Sequence, residues 1–192
     1  MKRVGVLSLQ GDFAAHAAAL KGAGAEPVLV REREQFASID GLIIPGGEST
    51  TMLKLLRYDG LMETLLEFGL RKPVFGTCAG AILLAERVLN PGQESLGLID
   101  IDIERNAYGR QIDSHVSVLD LEPDFERRAA PGPLEAVFIR APKIRRVGRQ
   151  ARVLARCAGD PVLVEQGNLL AATFHPELTG DLRIHKLFLE KL

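Results

Sequence analysis

Cys78 stands in the run Phe75-Gly76-Thr77-Cys78-Ala79-Gly80-Ala81, behind the apolar Pro73-Val74-Phe75 and ahead of Ala81-Ile82-Leu83-Leu84-Ala85. The first apolar stretch reads as a strand and the second as a helix, which puts the thiol at the apex of a sharp turn between them. Gly-x-Cys-x-Gly is the cysteine form of a nucleophile elbow, in which flanking glycines let strand and helix pack closely while a strained residue projects its side chain outward. A thiol placed there is suited to attack an electrophilic carbon. Cys157 lies in the strand-like Arg152-Val153-Leu154-Ala155-Arg156-Cys157 without any glycine frame, and reads as a small structural hydrophobe.

A cysteine nucleophile needs a group that takes its proton, because an ordinary thiol is little ionised near neutrality. Of the four histidines, His16 falls in an Ala-rich helix, His115 in an alternating strand and His185 in the terminal helix, all ordinary structural or surface settings. His175 differs: it ends an apolar strand and opens His175-Pro176-Glu177. A residue before proline is driven toward extended conformations, so the side chains at 175 and 177 are expected on one side of the chain. Glu177 then holds the imidazole Nδ1 and leaves Nε2 to accept the thiol proton. The set is nucleophile Cys78, base His175 and orienter Glu177.

The elements that must bring these residues together are legible in outline. The first half alternates apolar strands and helices: a strand from Val4 to Leu9, a helix from about Asp12 to Ala23, strands at Val28 to Val30 and Gly41 to Pro45, helical segments between Thr50 and Leu70, the strand Val74-Phe75, and the helix after Cys78. Continuous apolar strands with intervening helices predict an α/β fold of three layers, a mainly parallel sheet flanked by helices, with ligands gathered at the carboxyl ends of its strands. Two breaks fall there, Gly46-Gly47-Glu48 and the elbow. In the second half Ile99, Ile101 and Ile103 alternate with Asp100, Asp102 and Glu104, the pattern of a half-exposed strand, and predict an antiparallel annex. Strands are expected around Ser114 to Leu121, Ala136 to Ile139 and Val153 to Ala155, and a Gly167-Asn168 hairpin joins Val162-Val164 to Leu170-Phe174. The stretch from Glu122 to Pro133 reads as a surface loop. Ile184, Leu187, Phe188 and Leu192 form a core-facing stripe on a last helix.

Composition narrows the class. A chain of 192 residues with 46% hydrophobic and 26% charged content is long enough for one sizeable core, and residues 1–192 are expected to form a single domain. Two cysteines without a C-x-x-C pair argue against a disulfide framework or a zinc cluster and fit a reducing, cytoplasmic setting. No window approaches a membrane span, and the apolar run after Met1-Lys2-Arg3 is too short for a signal peptide. A net charge of −1 gives no pull toward nucleic acid, and the cluster Arg140, Lys143, Arg145, Arg146, Arg149, Arg152 and Arg156 lacks interleaved aromatics and reads as a solvated face or docking rim.

The elbow together with Phe174-His175-Pro176-Glu177 resembles the class I, triad-type glutamine amidotransferases, whose flavodoxin-like sheet matches the fold expected above. Leu9-Gln10-Gly11, Pro45-Gly46-Gly47-Glu48-Ser49-Thr50-Thr51, Glu104-Arg105-Asn106, Tyr108-Gly109-Arg110-Gln111 and Phe138-Ile139-Arg140-Ala141-Pro142 are similar to motifs of the glutaminase subunits of pyridoxal phosphate synthase. The resemblance implies hydrolysis of L-glutamine to glutamate and ammonia through a Cys78 thioester, without metal or cofactor. It implies an oxyanion hole from Gly47 and Ala79, a glutamine pocket lined by Gly47, Glu48, Ser49, Arg105, Ile139 and Arg140, and a contact through Gln10 with a synthase subunit assembled into a large ring, which uses the ammonia to make the vitamin B6 coenzyme. His-Pro-Glu at this place argues against the cysteine-elbow hydrolases and chaperones built on a related sheet.

Overall fold

The structure, a computed structural model, describes residues 1–107 and 114–192; the Tyr108-Gly109-Arg110-Gln111 run lies outside the described residues. The first half consists of β1 (Arg3–Leu7), α1 (Phe13–Gly22), β2 (Glu26–Val30), β3 (Gly41–Ile44), α2 (Ser49–Tyr58), α3 (Met62–Gly69), β4 (Val74–Thr77) and α4 (Ala79–Leu84). The second half contributes β5 (Ala85–Leu89), β6 (Ile99–Glu104), β7 (Ser114–Val118), β8 (Asp120–Leu121), α5 (Pro123–Arg128), β9 (Glu135–Ile139), β10 (Lys143–Val147), β11 (Arg152–Cys157), β12 (Asp160–Gln166), β13 (Leu169–Ala172) and α6 (Arg183–Leu189). Short 3-10 segments cover Arg33–Ser38 and Pro176–Leu178.

Among the described residues the main sheet runs in the order β2-β1-β3-β4-β13-β12-β11-β8. Neighbours from β2 through β13 are parallel, and the three pairings beyond β13 are antiparallel. The central strands are apolar on both faces because both are covered. Leu42, Ile44 and Val74 enter one core cluster with Met52, Leu56 and Leu65 from α2 and α3. Ile43 and Phe75, pointing the other way, join Leu20, Ile184, Leu187 and Phe188 from α1 and α6 in a second cluster. The predicted stripe on the last helix is therefore a core face.

Three expectations are corrected. The annex is not wholly antiparallel: β10-β6-β5 forms a separate sheet in which β10 and β6 are antiparallel but β5 and β6 are parallel, β5 continuing straight out of α4. The stretch from Ser114 to Leu121 is two strands in different sheets, since β7 pairs with β9 and β8 with β11. The stretch from Glu122 to Pro133 is not all loop: Pro123, at the favoured first helical position, opens α5, and Phe125 is wholly buried in the second cluster. A helix that short owes its existence to this packing rather than to propensity.

The basic cluster is a solvated face, with Arg140, Arg145, Arg149 and Arg152 exposed, and most of its charges are ion-paired. Arg146 bonds Glu86, Asp100 and Asp102, Arg87 also bonds Asp102, Arg145 pairs with Glu104, Arg152 with Asp124, Arg156 with Glu122 and Lys143 with Asp160. The carboxylates of the alternating β6 thus meet arginines from the strands beside it, which is why Asp102 is buried despite lying on the polar side of the pattern.

Candidate active site

Residues 78 and 175 converge because β4 and β13 are parallel neighbours in register. Thr77 faces Ala172, and the next backbone N–H, that of Cys78, donates to the Ala172 carbonyl at 2.8 Å. Three residues on, the His175 N–H donates to Val137 of β9 at 2.8 Å. The loops after β1, β3, β4 and β13 meet at this carboxyl-end rim, where ligands of open α/β sheets collect.

The elbow is built as its sequence predicts. Cys78 has φ 49° and ψ −104° and occupies the N-cap of α4, a conformation that non-glycine residues reach only under constraint. The glycines either side serve close approach. A Cβ on Gly80 would lie 2.1 Å from the Ile44 carbonyl oxygen, and one on Gly76 would lie 2.5 Å from the backbone of Gly80. No side chain fits at either place.

His175 Nδ1 lies 2.7 Å from Glu177 Oε1, and both residues are buried. The backbone differs from the expected extended tripeptide: His175 has ψ 84° and Pro176 starts a 3-10 turn that carries Glu177. Proline suits that first position, where no N–H is needed, and the turn brings the carboxylate back under the ring. Burial lowers the imidazole pKa, but hydrogen bonds and charge interactions with Cys78 and Glu177 outweigh it and push the group from its ordinary 6.5 up to about 10. The imidazolium is held between a sulfur and a carboxylate.

Cys78 and His175 open onto a cavity of about 290 Å³ lined also by Gly47, Glu48, Ser49, Ile82, Arg105, Asn106, Ile139 and Arg140. Every residue that the resemblance assigned to the glutamine pocket is on this wall. Gly46 sits between base and nucleophile, where an added Cβ would be 2.4 Å from His175 Cε1 and 3.2 Å from Cys78 Cβ. Gly47 has φ +140°, a left-handed conformation that favours glycine. Gln10 packs on Gly47, its Nε2 donating to the Glu48 carbonyl at 2.5 Å. Gly11 packs with it, since a Cβ there would lie 1.8 Å from the Gly46 carbonyl oxygen. Ala79, buried, is the first residue of α4, so its backbone N–H belongs to the helix start beside the sulfur.

The charged wall residues have distinct tasks. Glu48 caps α2, accepting the Thr50 and Thr51 N–H groups at 3.0 and 2.7 Å and the Thr51 hydroxyl at 2.8 Å. Its slight burial raises the carboxyl pKa, and these hydrogen bonds overcome that and bring it down to about 2. Arg105 donates to Thr50 Oγ1 at 2.7 Å and approaches Glu48 Oε1 at 3.4 Å, which aims its guanidinium along the cavity edge. Arg140 has φ 44°, a second strained residue at the rim. Ser49 donates to Gln93 Oε1 at 3.0 Å.

Sequence reasoning passed over several residues here. Ile82 and Asn106 line the cavity, Ile82 one helical turn beyond the thiol. His16 and His185, read as ordinary histidines, are fully buried and touch the site from behind: His16 Nε2 is 3.3 Å from Glu177 Oε2 and 3.1 Å from Thr77 Oγ1, and His16 Nδ1 is 3.1 Å from His185 Nε2. A polar residue inside the apolar stripe of a helix was the one available signal. Among the described residues no group of three or more metal-ligating side chains is assembled, and no helix is long and apolar enough to cross a membrane.

Residues 6–192 match the model of the SNO glutamine amidotransferase family. The chain is 69% identical over 192 residues, all of both proteins, to the pyridoxal 5'-phosphate synthase subunit PdxT of Solibacter usitatus. It is 49% identical to the PdxT of Thermotoga maritima over 189 residues, 98% of each chain. A solved glutamine amidotransferase superposes with a TM-score of 0.88 at 46% identity, covering 98% of this chain and 97% of that one. PurLQS from Thermotoga maritima gives 0.78 at 16% identity with 98% of each chain covered, a likeness of fold alone. A cysteine elbow, a buried His-Glu pair and a cavity lined by the motif residues are thus found in a chain that matches one family almost end to end: the chain belongs to the SNO glutamine amidotransferase family.

Proposed function

We propose that residues 1–192 act as one glutaminase domain, hydrolysing L-glutamine to L-glutamate and ammonia and passing the ammonia to the synthase subunit of pyridoxal 5'-phosphate synthase in the cytoplasm. The observation that carries this reading is the shared cavity of Cys78 and His175, with Glu177 2.7 Å behind the imidazole.

With the proton of the Cys78–His175 pair already resting on His175 Nε2, Sγ bonds to the side-chain amide carbon of glutamine, and the carbonyl π electrons move to oxygen. The resulting oxyanion is met by the backbone N–H groups of Ala79 and Gly47, each worth roughly 3 to 4 kcal/mol in comparable sites. The imidazolium then protonates the amide nitrogen, the C–N bond breaks and ammonia leaves. Because Cys78 is one of the groups that raise the His175 pKa, converting the sulfur to a thioester makes the imidazole less basic and better suited to activate and release a proton in the next step. Water, deprotonated by His175, attacks the thioester, the C–S bond breaks, and glutamate and the free thiol are regained.

Arg105 and Arg140 suit the substrate α-carboxylate, since a guanidinium binds carboxylate through two parallel donors. Glu48, Ser49 and Ile139 shape the rest of the pocket. Gln10, seated on Gly47 and the Glu48 carbonyl, is positioned for a synthase subunit docked at this rim to govern the oxyanion peptide. The partner is a large ring of synthase subunits, and the free chain is a poor glutaminase that becomes competent on docking. Glutamate release from glutamine, measured with and without the cognate synthase for wild type and Cys78→Ala, tests the reading. Turnover that survives Cys78→Ala would overturn it, and equal turnover with and without synthase would remove the docking requirement.

A further inference from the structure

Behind Glu177 lies a buried polar chain that the reaction steps above do not use. It joins four separate elements: His185 on α6, His16 on α1, Thr77 at the end of β4 and Glu177 in the 3-10 turn. Both histidines are wholly buried and pack edge-on to Phe75. Burial, then the neighbouring His185 and His175, hold His16 well below the ordinary histidine value, and burial brings His185 down to about 4. Both rings are neutral, so each carries one N–H.

The contacts assign those protons. Two neutral rings meeting through His16 Nδ1 and His185 Nε2 at 3.1 Å share one proton. Were it on His16 Nδ1, the His185 proton would have to sit on Nδ1, which is buried without any hydrogen-bond partner. The bare His16 Nε2 lone pair would then face the Glu177 carboxylate at 3.3 Å. The opposite arrangement leaves no orphaned donor: His185 Nε2–H donates to His16 Nδ1, and His16 Nε2–H points at Thr77 Oγ1 and Glu177 Oε2. A partnerless acceptor at His185 Nδ1 is the lesser cost.

Glu177 has its Oε1 engaged by His175, and its Oε2 is buried without a hydrogen bond of good geometry. His16 Nε2–H, shared with Thr77, is the positive pole that faces this oxygen. We propose that His16, in the tautomer set by His185, is a positioning residue: it fixes the plane of the Glu177 carboxylate and so the aim of His175 Nε2 at Cys78. A pair of apolar side chains would fill the same space without desolvating four ring nitrogens, so packing alone does not account for the two histidines. The proposal rests on the glutaminase reading above and names what supports its third member.

The test uses the full chain with its cognate synthase, reading kcat and KM for glutamate release, together with the NMR resonance of the His175 Nδ1 proton. His16→Leu removes the donor and is expected to lower kcat about 10- to 100-fold with KM nearly unchanged, and to move that resonance away from its strongly hydrogen-bonded position. His16→Gln places an amide N–H near the lost Nε2 and is expected to recover most of the rate and the resonance. If the leucine variant does not fold, His16→Asn, whose shorter amide reaches only toward His185, takes its place. Wild-type kcat and an unmoved resonance in His16→Leu, or equal losses in the Leu and Gln variants, would overturn the proposal. A wild type that releases no glutamate, or a Cys78→Ala variant that still does, would instead count against the glutaminase reading, and the resonance would still decide the role of His16.

Discussion

His175 Nδ1 and Glu177 Oε1 are 2.7 Å apart across a single proline, and the pair is the tightest link between a local sequence motif and the chemistry of the site. Glu177→Gln keeps the volume and removes the charge that helps raise the imidazole pKa. The His175 value is expected to fall from about 10, read by NMR titration, and kcat for glutamate release to fall about 10³-fold. The sign of the stability effect follows. The folded value lies above the ordinary 6.5, so the stabilisation is complete below that pH and is lost as the pH rises through about 10. The variant is expected to lose much of that alkaline slope in denaturation measurements.

Gly46→Ala tests the space between base and nucleophile. The added methyl would lie 2.4 Å from His175 Cε1, so the ring must move, and a displacement near 1 Å is expected to cost about 100-fold in kcat. Steady-state kinetics of the variant with wild-type circular dichroism would show it; an undiminished kcat would mean that the ring has another place to go.

Strain at the elbow predicts a divergence between stability and activity. Cys78→Ala and Cys78→Gly both abolish thioester formation, but only glycine adopts φ 49° and ψ −104° freely. The glycine variant is expected to be the more stable of the two by about 1 to 3 kcal/mol, measured by chemical denaturation. Equal stability would mean that the backbone relaxes once the thiol is gone.

His185 gives an acid-side prediction. Its pKa is lowered by burial from 6.5 to about 4, so between these values the unfolded chain binds a proton that the folded chain refuses, and stability falls as the pH drops. The loss from this one group is about 3 kcal/mol, and it levels off below about pH 4. His185→Leu is expected to flatten the stability profile in that window, while His16 keeps part of the slope.

Much of the fold was readable because its signals are local. Short apolar runs such as Leu42-Ile43-Ile44 between Gly41 and Pro45 and Val74-Phe75 between Pro73 and Gly76 marked the central strands, and their being apolar on both sides implied the covered parallel sheet. The weak points lay where tertiary context decides. α5 is six residues long with one anchoring Phe125 and forms against the second core. The parallel pairing of β5 with β6 has no local signature. Much of the apparent basic patch is accounted for by Lys143, Arg145, Arg146, Arg152 and Arg156 meeting carboxylates from other elements.

The amino-acid sequence by itself determined the reactive thiol in its glycine frame, the His-Pro-Glu unit and the doubled glycine, because each is a contiguous run whose backbone demands and side-chain chemistry travel together. Only the tertiary structure decided that positions 78 and 175 share a rim, through the in-register pairing of Thr77 with Ala172. It alone, too, made His16 and His185 part of the site. A neutral imidazole in a helix has no distinguishing neighbours in the chain, and its role follows from burial beside a carboxylate 161 residues away, at Glu177.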